Sequence, residues 1–374
     1  MVRFDAISLA ARDTVRTFAA DPSFVVHHFG CACDFPDVSH RRCDTVADLL
    51  LDTEYQSADV AIFHFGVHHS LFHALRLSGP QLRIVRFHNV TPASFVDAKD
   101  VGVIERSLEQ IETLRNADAI WADSPCNETE LLERGFTPEK LQVIPLAVED
   151  PPMSRLADKA ADPVRILFVG RFAPSKGLLD LVEAIARLSL PRDRFRVTLA
   201  GNTNWSDPAY LSRVRSTIAR HGLEGSVNVS GTVPDVERER LFHEAHILAM
   251  PSYHEGFCRP VIEGLRAGCI PIVYDGYNLP HIVSGLGRVV PAGDIDGFAN
   301  ALGEVVGAVP ISVRGSDTAV LPLDRGTMSA RQFDRAAQEY VASFAFPTVA
   351  RAMRDSVQLL RKQYSRGRSA APAL

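Results

Sequence analysis

The sequence predicts an α/β protein built on parallel sheets and divided into two halves, and three observations carry that expectation. From Thr45 onward, short apolar runs alternate with segments of helical spacing, the pattern of strand–helix–strand crossovers. The stretch from Glu149 to Asp162, which contains Pro151-Pro152, loses the apolar period, and a second alternating series begins at Val164. The apolar runs end in small or polar residues, such as Phe65-Gly66, His88-Asn89 and Gly170-Arg171, and ligands of open α/β sheets bind at the carboxyl ends of strands.

Composition agrees. The length of 374 residues suits two or three domains, and 46% hydrophobic against 23% charged residues is ordinary for a globular chain. A net charge of −5 argues against a nucleic-acid protein. The cysteines at 31, 33, 43, 126, 258 and 269 include no Cys-x-x-Cys pair, so reduced thiols in a cytoplasmic protein are expected and zinc fingers are not. No segment approaches the ~18 apolar residues of a membrane span. Arg3, Asp5, Arg12, Asp13 and Arg16 make the first residues unlike a signal peptide.

In the first half, Leu9 to Ala20 has helical spacing and Phe24 to Val26 reads as a strand running to Gly30. Helices follow at Thr45–Leu51 and His68–Leu77, and strands at Val60–Phe65 and Arg83–Phe87. His69 and His73 would share a helix face and, with His64 and His68, invite a zinc reading, but no nearby carboxylate completes a ligand set. A helix over 101–116, a strand at Ala119–Ala122, a helix opened by Ser124-Pro125 and a strand at Leu141–Ile144 complete the half.

In the second half the strand Val164–Val169 runs into Gly170-Arg171-Phe172-Ala173-Pro174-Ser175-Lys176-Gly177 and a helix over Leu178–Leu188. This is no Walker loop, which needs Gly before Lys and Ser or Thr after it. Strands at Phe195–Ala200 and Val227–Val229 end in Gly201-Asn202 and Gly231-Thr232-Val233, and a helix over Asp235–Ala245 follows. Ile247–Met250 is a buried-strand run, and Pro251 to Gly256 then form a loop before a helix that Pro260 opens and Gly268 stops. Backbone N–H groups at Gly256, Phe257 and Cys258 would sit at that helix start, where the dipole favours an anion. Glu255 and Glu263 flank the spot, too far apart to share a proton, and would address opposite ends of an extended ligand such as a sugar nucleotide. Beyond a strand at Gly287–Pro291 and a helix to Val306, Pro310–Gln332 lacks a pattern; Tyr340–Tyr364 is helical again, with a basic tail to Leu374 expected to be disordered.

Two glutamates separated by seven residues with Gly-Phe after the first, in Glu255-Gly256-Phe257-Cys258-Arg259-Pro260-Val261-Ile262-Glu263, resemble the signature of retaining glycosyltransferases with the GT-B fold, of the glycosyl transferases group 1 type. Gly170-Arg171 to Lys176-Gly177 resembles the same family's phosphate loop, and Arg86-Phe87-His88-Asn89-Val90-Thr91-Pro92 its histidine-bearing strand end. The resemblance implies two Rossmann-like domains with parallel sheets facing across a cleft. The expected domains are an acceptor-side domain over 1–150, a donor-nucleotide domain over 151–340, and a C-terminal helix over 341–374 that crosses back to the first. One departure is the start, where only Asp5 to Ser8 stands in place of the family's first strand and glycine-rich loop.

By resemblance, Arg171 and Lys176 bind the donor diphosphate, Glu263 the ribose hydroxyls, and Glu255 and His88 the transferred sugar. Gly201, Asn202, Thr232 and Val233 surround the nucleotide base, Gly170 opens the diphosphate loop, and the helix start at Gly256, Phe257 and Cys258 faces the donor phosphates. The expected activity is metal-independent transfer, with retention, from a UDP- or GDP-sugar to an acceptor hydroxyl on a glycan, lipid-linked saccharide or small molecule. No cofactor and no nucleic-acid partner are expected, and the basic last helix allows contact with the inner face of a membrane. The alternatives are a sugar-nucleotide-binding subunit without transfer activity and a GT-B epimerase; a phosphorylase would be much longer and need a pyridoxal lysine.

Overall fold

A computed structural model describes residues 1, 5–77, 81–96, 99–149, 153–203 and 206–369. It divides into two compact units, one of Met1–Ala93, Asp97–Glu149 and Phe344–Leu374, the other of Ser94–Val96 and Asp150–Ser343. Pro151-Pro152 and 370–374 lie outside the described residues; Ser365 to Ser369, expected as the start of the disordered tail, continue the last helix instead.

The first unit opens with α1 (Ala6–Ala19), β1 (His28–Gly30), β2 (His40–Arg42), α2 (Val46–Leu51) and α3 (Thr53–Ser57). It continues with β3 (Val60–Phe65), β4 (Leu82–Phe87), α4 (Val101–Gln110), β5 (Ala119–Ala122), α5 (Pro125–Glu133) and β6 (Leu141–Val143). A parallel sheet runs in the order β3-β4-β5-β6, and β1 pairs with β2 in a separate two-stranded ladder. Strand side chains alternate between faces. Val85, Phe87 and Ile120 therefore pack with Phe72, Ile111, Leu114 and Leu131 on one side, and Ile84 and Trp121 with Phe18, Val349, Met353 and Val357 on the other.

The second unit carries β7 (Val164–Val169), α6 (Leu178–Ala186), β8 (Phe195–Ala200), α7 (Pro208–Arg220), β9 (Val227–Gly231), α8 (Asp235–Glu244) and β10 (Ile247–Met250). Then come α9 (Arg259–Arg266), β11 (Ile270–Tyr274), α10 (Leu279–Val283), β12 (Arg288–Val290), α11 (Ile295–Arg314), the hairpin β13 (Leu321–Leu323) and β14 (Gly326–Met328), and α12 (Ala330–Val341). The six strands of its main sheet, β7 to β12, are all parallel, in the order β12-β11-β10-β7-β8-β9. Taken from β7 this is the doubly wound order in which the winding reverses between the first and fourth strands, so the crevice for a ligand opens at the carboxyl ends of β7 and β10. The last helix, α13 (Phe346–Ser369), returns to the first unit and supplies Val349, Met353 and Val357 to its core.

Six further expectations are corrected. Phe24 to Val26 form no strand; Phe24 and Val26 pack against the core unpaired, and the short polar β1 and β2 make the ladder instead. His68–Leu77 is a 3₁₀ segment, Ser70–Arg76, opened by the His69 ring, whose Nδ1 accepts from Leu71 N–H at 3.3 Å. Asp5 to Ser8 begin α1, with the Asp5 carboxylate capping Ser8 N–H at 2.7 Å. The helix expected to end at Val306 runs to Arg314, because Ala308, Val309 and Pro310 are buried and their packing outweighs the one bond Pro310 forgoes. The patternless stretch after it holds β13, β14 and α12, and the expected helix over Tyr340–Tyr364 is two, broken by a 3₁₀ turn at Ala342–Phe344.

Candidate functional site

In the second unit two loops meet at the reversal point. The loop after β7 closes with the 3₁₀ turn Pro174–Lys176 and Gly177, whose φ of 63° lies in the left-handed region. A Cβ there would sit 2.0 Å from the Pro251 carbonyl oxygen, so only glycine lets the two loops approach. Tyr253 N–H donates to the Ser175 carbonyl at 2.9 Å and pins them together. Across this contact Lys176 Nζ lies 2.7 Å from Glu255 Oε1, both side chains largely buried. Arg171, expected to act with Lys176, is exposed and has no ion pair among the described residues.

Glu263, on α9, receives Arg238 Nη1 on both carboxylate oxygens at 3.2 Å. Arg238 comes from α8 and was not singled out by sequence, since it sits in a run of alternating charges, Glu237 to Arg240, with no motif around it. The Glu263 carboxylate raises its pKa further. Gly170 N–H donates to the Ala200 carbonyl at 3.1 Å, and a Cβ on Gly201 would lie 1.9 Å from the Gly170 carbonyl oxygen, so the ends of β7 and β8 touch. Asn202 accepts from Ser206 through its carbonyl, and Thr232 Oγ1 accepts from Thr203 N–H at 3.0 Å. Val233 is half-buried in the loop before α8. All of these residues gather at the carboxyl end of one sheet.

Gly256, Phe257 and Cys258 lead into α9, with Cys258 at its N-cap position. Cys258 has a φ of 72°, a conformation unusual for a side chain with Cβ, and burial pushes its thiol well above the ordinary range. It packs as a small apolar group. Phe257 is buried, and its carbonyl accepts from Asn278 Nδ2 at 3.0 Å. Beside them His254 is buried edge-on to Tyr277, with ring centroids 4.1 Å apart, and burial, then the Lys176 charge, lowers its pKa to about 4. The Tyr253 and Tyr274 hydroxyls both donate to Asp180 Oδ2, at 2.5 and 3.1 Å, bracing the loop on α6.

In the first unit a second constellation lies at the carboxyl ends of β3, β4 and β5. The register pairs Phe65 with Phe87 and Phe87 with Ala122, so His88 and Asp123 follow neighbouring strands side by side. His88 Nδ1 lies 2.5 Å from Asp123 Oδ2, and His88 Nε2 lies 2.9 Å from His64 Nδ1. Asp123 Oδ1 accepts from Arg86 Nε at 2.8 Å, and Arg86 also donates to the carbonyls of Ile144 and Pro145. Arg86 and Asp123 side chains are only 2% exposed, a buried pair whose charges are mutually compensated and hydrogen-bonded. Among the described residues no three His, Cys, Asp or Glu side chains gather as a metal site, and His69 instead places Nε2 3.4 Å from Cys31 Sγ.

Residues 154–307 match the family described as Glycosyl transferases group 1. The amylovoran biosynthesis glycosyltransferase AmsK of Erwinia amylovora is 26% identical over 265 residues, covering 66% of this chain and 61% of that protein. A GDP-mannose:cellobiosyl-diphosphopolyprenol alpha-mannosyltransferase of Xanthomonas oryzae is 30% identical over 206 residues, 52% of this chain and 50% of its own length. The chain thus spans less than two thirds of these relatives. Two solved structures share its fold: sucrose-phosphate synthase from Thermosynechococcus elongatus, with a TM-score of 0.73 and 20% identity over 95% of this chain and 92% of that one, and Anabaena Alr3699/HepE in complex with UDP and glucose, with a TM-score of 0.70 and 15% identity over 95% and 96%.

Proposed function

We propose, for a chain that belongs to the glycosyl transferases group 1 and has the GT-B fold, that it transfers a sugar from a nucleoside-diphosphate donor to an acceptor hydroxyl. The observation that carries this reading is the pairing of Lys176 with Glu255 and of Arg238 with Glu263 at the point where the second sheet reverses its winding. A diphosphate arriving there draws Lys176 Nζ off Glu255 and brings Arg171 in from solvent. Their charges neutralise the leaving group as the sugar–phosphate bond breaks, a stabilisation made by groups already in place. Glu255, released from Lys176, is left beside the sugar as a hydrogen-bond acceptor. Glu263, held on both oxygens by Arg238, offers its remaining lone pairs to a ribose diol.

Transfer without a metal follows from the same reading, since the cations perform the charge neutralisation that a divalent ion performs elsewhere; retention is taken from the resemblance of the Glu255 to Glu263 stretch to the retaining family. Relatives named for GDP-mannose and for amylovoran synthesis make GDP-sugars the first donors to try and a glycan or lipid-linked saccharide the first acceptor. No described helix is long and apolar enough to cross a membrane. The test is release of nucleoside diphosphate from a panel of UDP- and GDP-sugars with saccharide acceptors, in the presence and absence of a chelator. Acceptor-dependent release that survives chelation is expected. Donor binding without release would make the protein a binding subunit, and release without acceptor incorporation would make it an epimerase or hydrolase.

A further inference from the structure

Around Glu255 the fold leaves polar side chains with hydrogen-bonding capacity unused. The loop after β10 and the loop after β11 are pressed together: a Cβ on Gly276 would sit 2.6 Å from the Ser252 carbonyl oxygen and 2.9 Å from that of Tyr253. Asn278 ties the same two loops, its N–H donating to the Glu255 carbonyl at 3.3 Å and its Nδ2 to the Phe257 carbonyl at 3.0 Å. Within this contact His254 Nε2, Ser252 Oγ and Asn278 Oδ1 are buried and have no hydrogen-bond partner among the described residues. Ser252 is 0% exposed, Asn278 1% and His254 5%. Each such atom costs stability, and native folds keep few of them. Three in one loop contact, beside the carboxylate assigned to the sugar, point to a ligand that is rich in hydroxyls.

We propose that His254, through Nε2, is a specificity-determining residue that hydrogen-bonds a hydroxyl of the transferred sugar. It precedes Glu255 in the chain, and the charges of Lys176 and Glu255 both act on its ring, so it lies beside the groups assigned to the diphosphate and to the sugar. Burial first, then the Lys176 charge, lowers its pKa to about 4, which leaves the ring neutral at neutral pH. A nitrogen of a neutral imidazole either donates or accepts, and a hydroxyl does both, so the pairing holds for either tautomer. The ring that meets His254 edge-on, at 4.1 Å between centroids, is Tyr277, which is itself 39% exposed. One exposed side chain thus separates His254 from solvent, and the sugar reaches Nε2 by displacing it. Tyr277 also holds a φ of 49°, in the left-handed region that a residue with Cβ seldom adopts and that functional loops retain. The ligand class rests on the glycosyl-transfer reading above; the unused nitrogen does not.

The test measures, by calorimetry on the full-length protein, dissociation constants for a panel of UDP- and GDP-sugars, GDP-mannose and UDP-glucose first, and for UDP and GDP alone. His254→Asn keeps a polar atom near Nδ1 and removes the one at Nε2, whereas His254→Gln keeps one near Nε2. His254→Asn is expected to weaken the best-bound sugar nucleotide about three- to tenfold, the range for one neutral hydrogen bond, with the matching nucleoside diphosphate bound as by wild type. His254→Gln is expected to stay within about twofold of wild type on both ligands. His254→Phe, which preserves a ring against Tyr277, should repeat the Asn result and serves if the Asn variant does not fold. Equal losses on sugar nucleotide and nucleoside diphosphate make His254 a packing residue; that outcome, no loss on either ligand, or a Gln variant as weak as Asn overturns the proposal. So does a wild-type protein that binds the nucleoside diphosphates but no sugar nucleotide. Wild-type protein that binds neither kind of ligand defeats the glycosyl-transfer reading and the proposal with it, whereas wild-type binding of both, with the ratio unmoved in the variants, defeats the proposal alone.

Discussion

Glu263 and Arg238 meet at 3.2 Å on both carboxylate oxygens, and that contact makes the residue-scale prediction sharper than sequence alone permits. A carboxylate already fixed by a guanidinium meets ribose hydroxyls with little further loss of side-chain entropy. Glu263→Ala should therefore weaken donor binding by roughly 1.5–3 kcal/mol, the range for hydrogen bonds to a charged group. Calorimetry with the preferred donor checks this, and an unchanged dissociation constant in a folded variant removes Glu263 from the ribose. The motif around Glu263 was readable because its residue types and spacing lie in one continuous stretch. Arg238 was not, because its partner is twenty-five positions away on another helix. Asp123 carries no motif of its own; its place against His88 depends on the register of β4 with β5, which sequence does not print.

Among elements, the loops after β7 and β10 are joined through Gly177, where no side chain fits. Gly177→Ala should destabilise the protein by at least ~2 kcal/mol, combining left-handed strain with a forced shift of the Pro251 backbone. It should also separate Lys176 from Glu255. Urea unfolding measures the first effect, and a loss of donor affinity without any change to a charged residue measures the second. Wild-type stability would show that the two loops are not in contact. The second sheet was legible because fully buried parallel strands, such as Ile247–Met250, are continuous apolar runs bounded by Gly and Pro. The start of the first unit was less so. Its β1 and β2 are three-residue strands rich in His and Arg, while the apolar Phe24 and Val26 pack without pairing, so burial and strand formation separate there. Pro310 misled for a similar reason, since it is tolerated within α11 where its neighbours are buried.

At the scale of the whole molecule, burial fixes how stability responds to acid. His28, His246 and His254 each have their pKa lowered to about 4, mainly by burial. Between pH 6.5 and about 4 the unfolded chain takes up protons that the folded chain refuses, so stability is complete above 6.5 and falls as the pH drops through this window. His246, whose Nδ1 accepts from Arg165 N–H at 2.9 Å, should by itself account for on the order of 2 kcal/mol at pH 5. Urea midpoints at pH 7, 6 and 5 should decline, and His246→Asn, which keeps an acceptor near Nδ1, should flatten the decline; a variant with the wild-type slope would contradict it. Whether a nucleoside diphosphate binds at the reversal point of the second sheet is decided by the dissociation constants of UDP and GDP for the wild-type protein and for Lys176→Ala. The better-bound nucleotide should lose about ten- to a hundredfold in affinity with the lysine, the equivalent of roughly 1.5–3 kcal/mol, and an unchanged constant in a folded variant would place the diphosphate elsewhere.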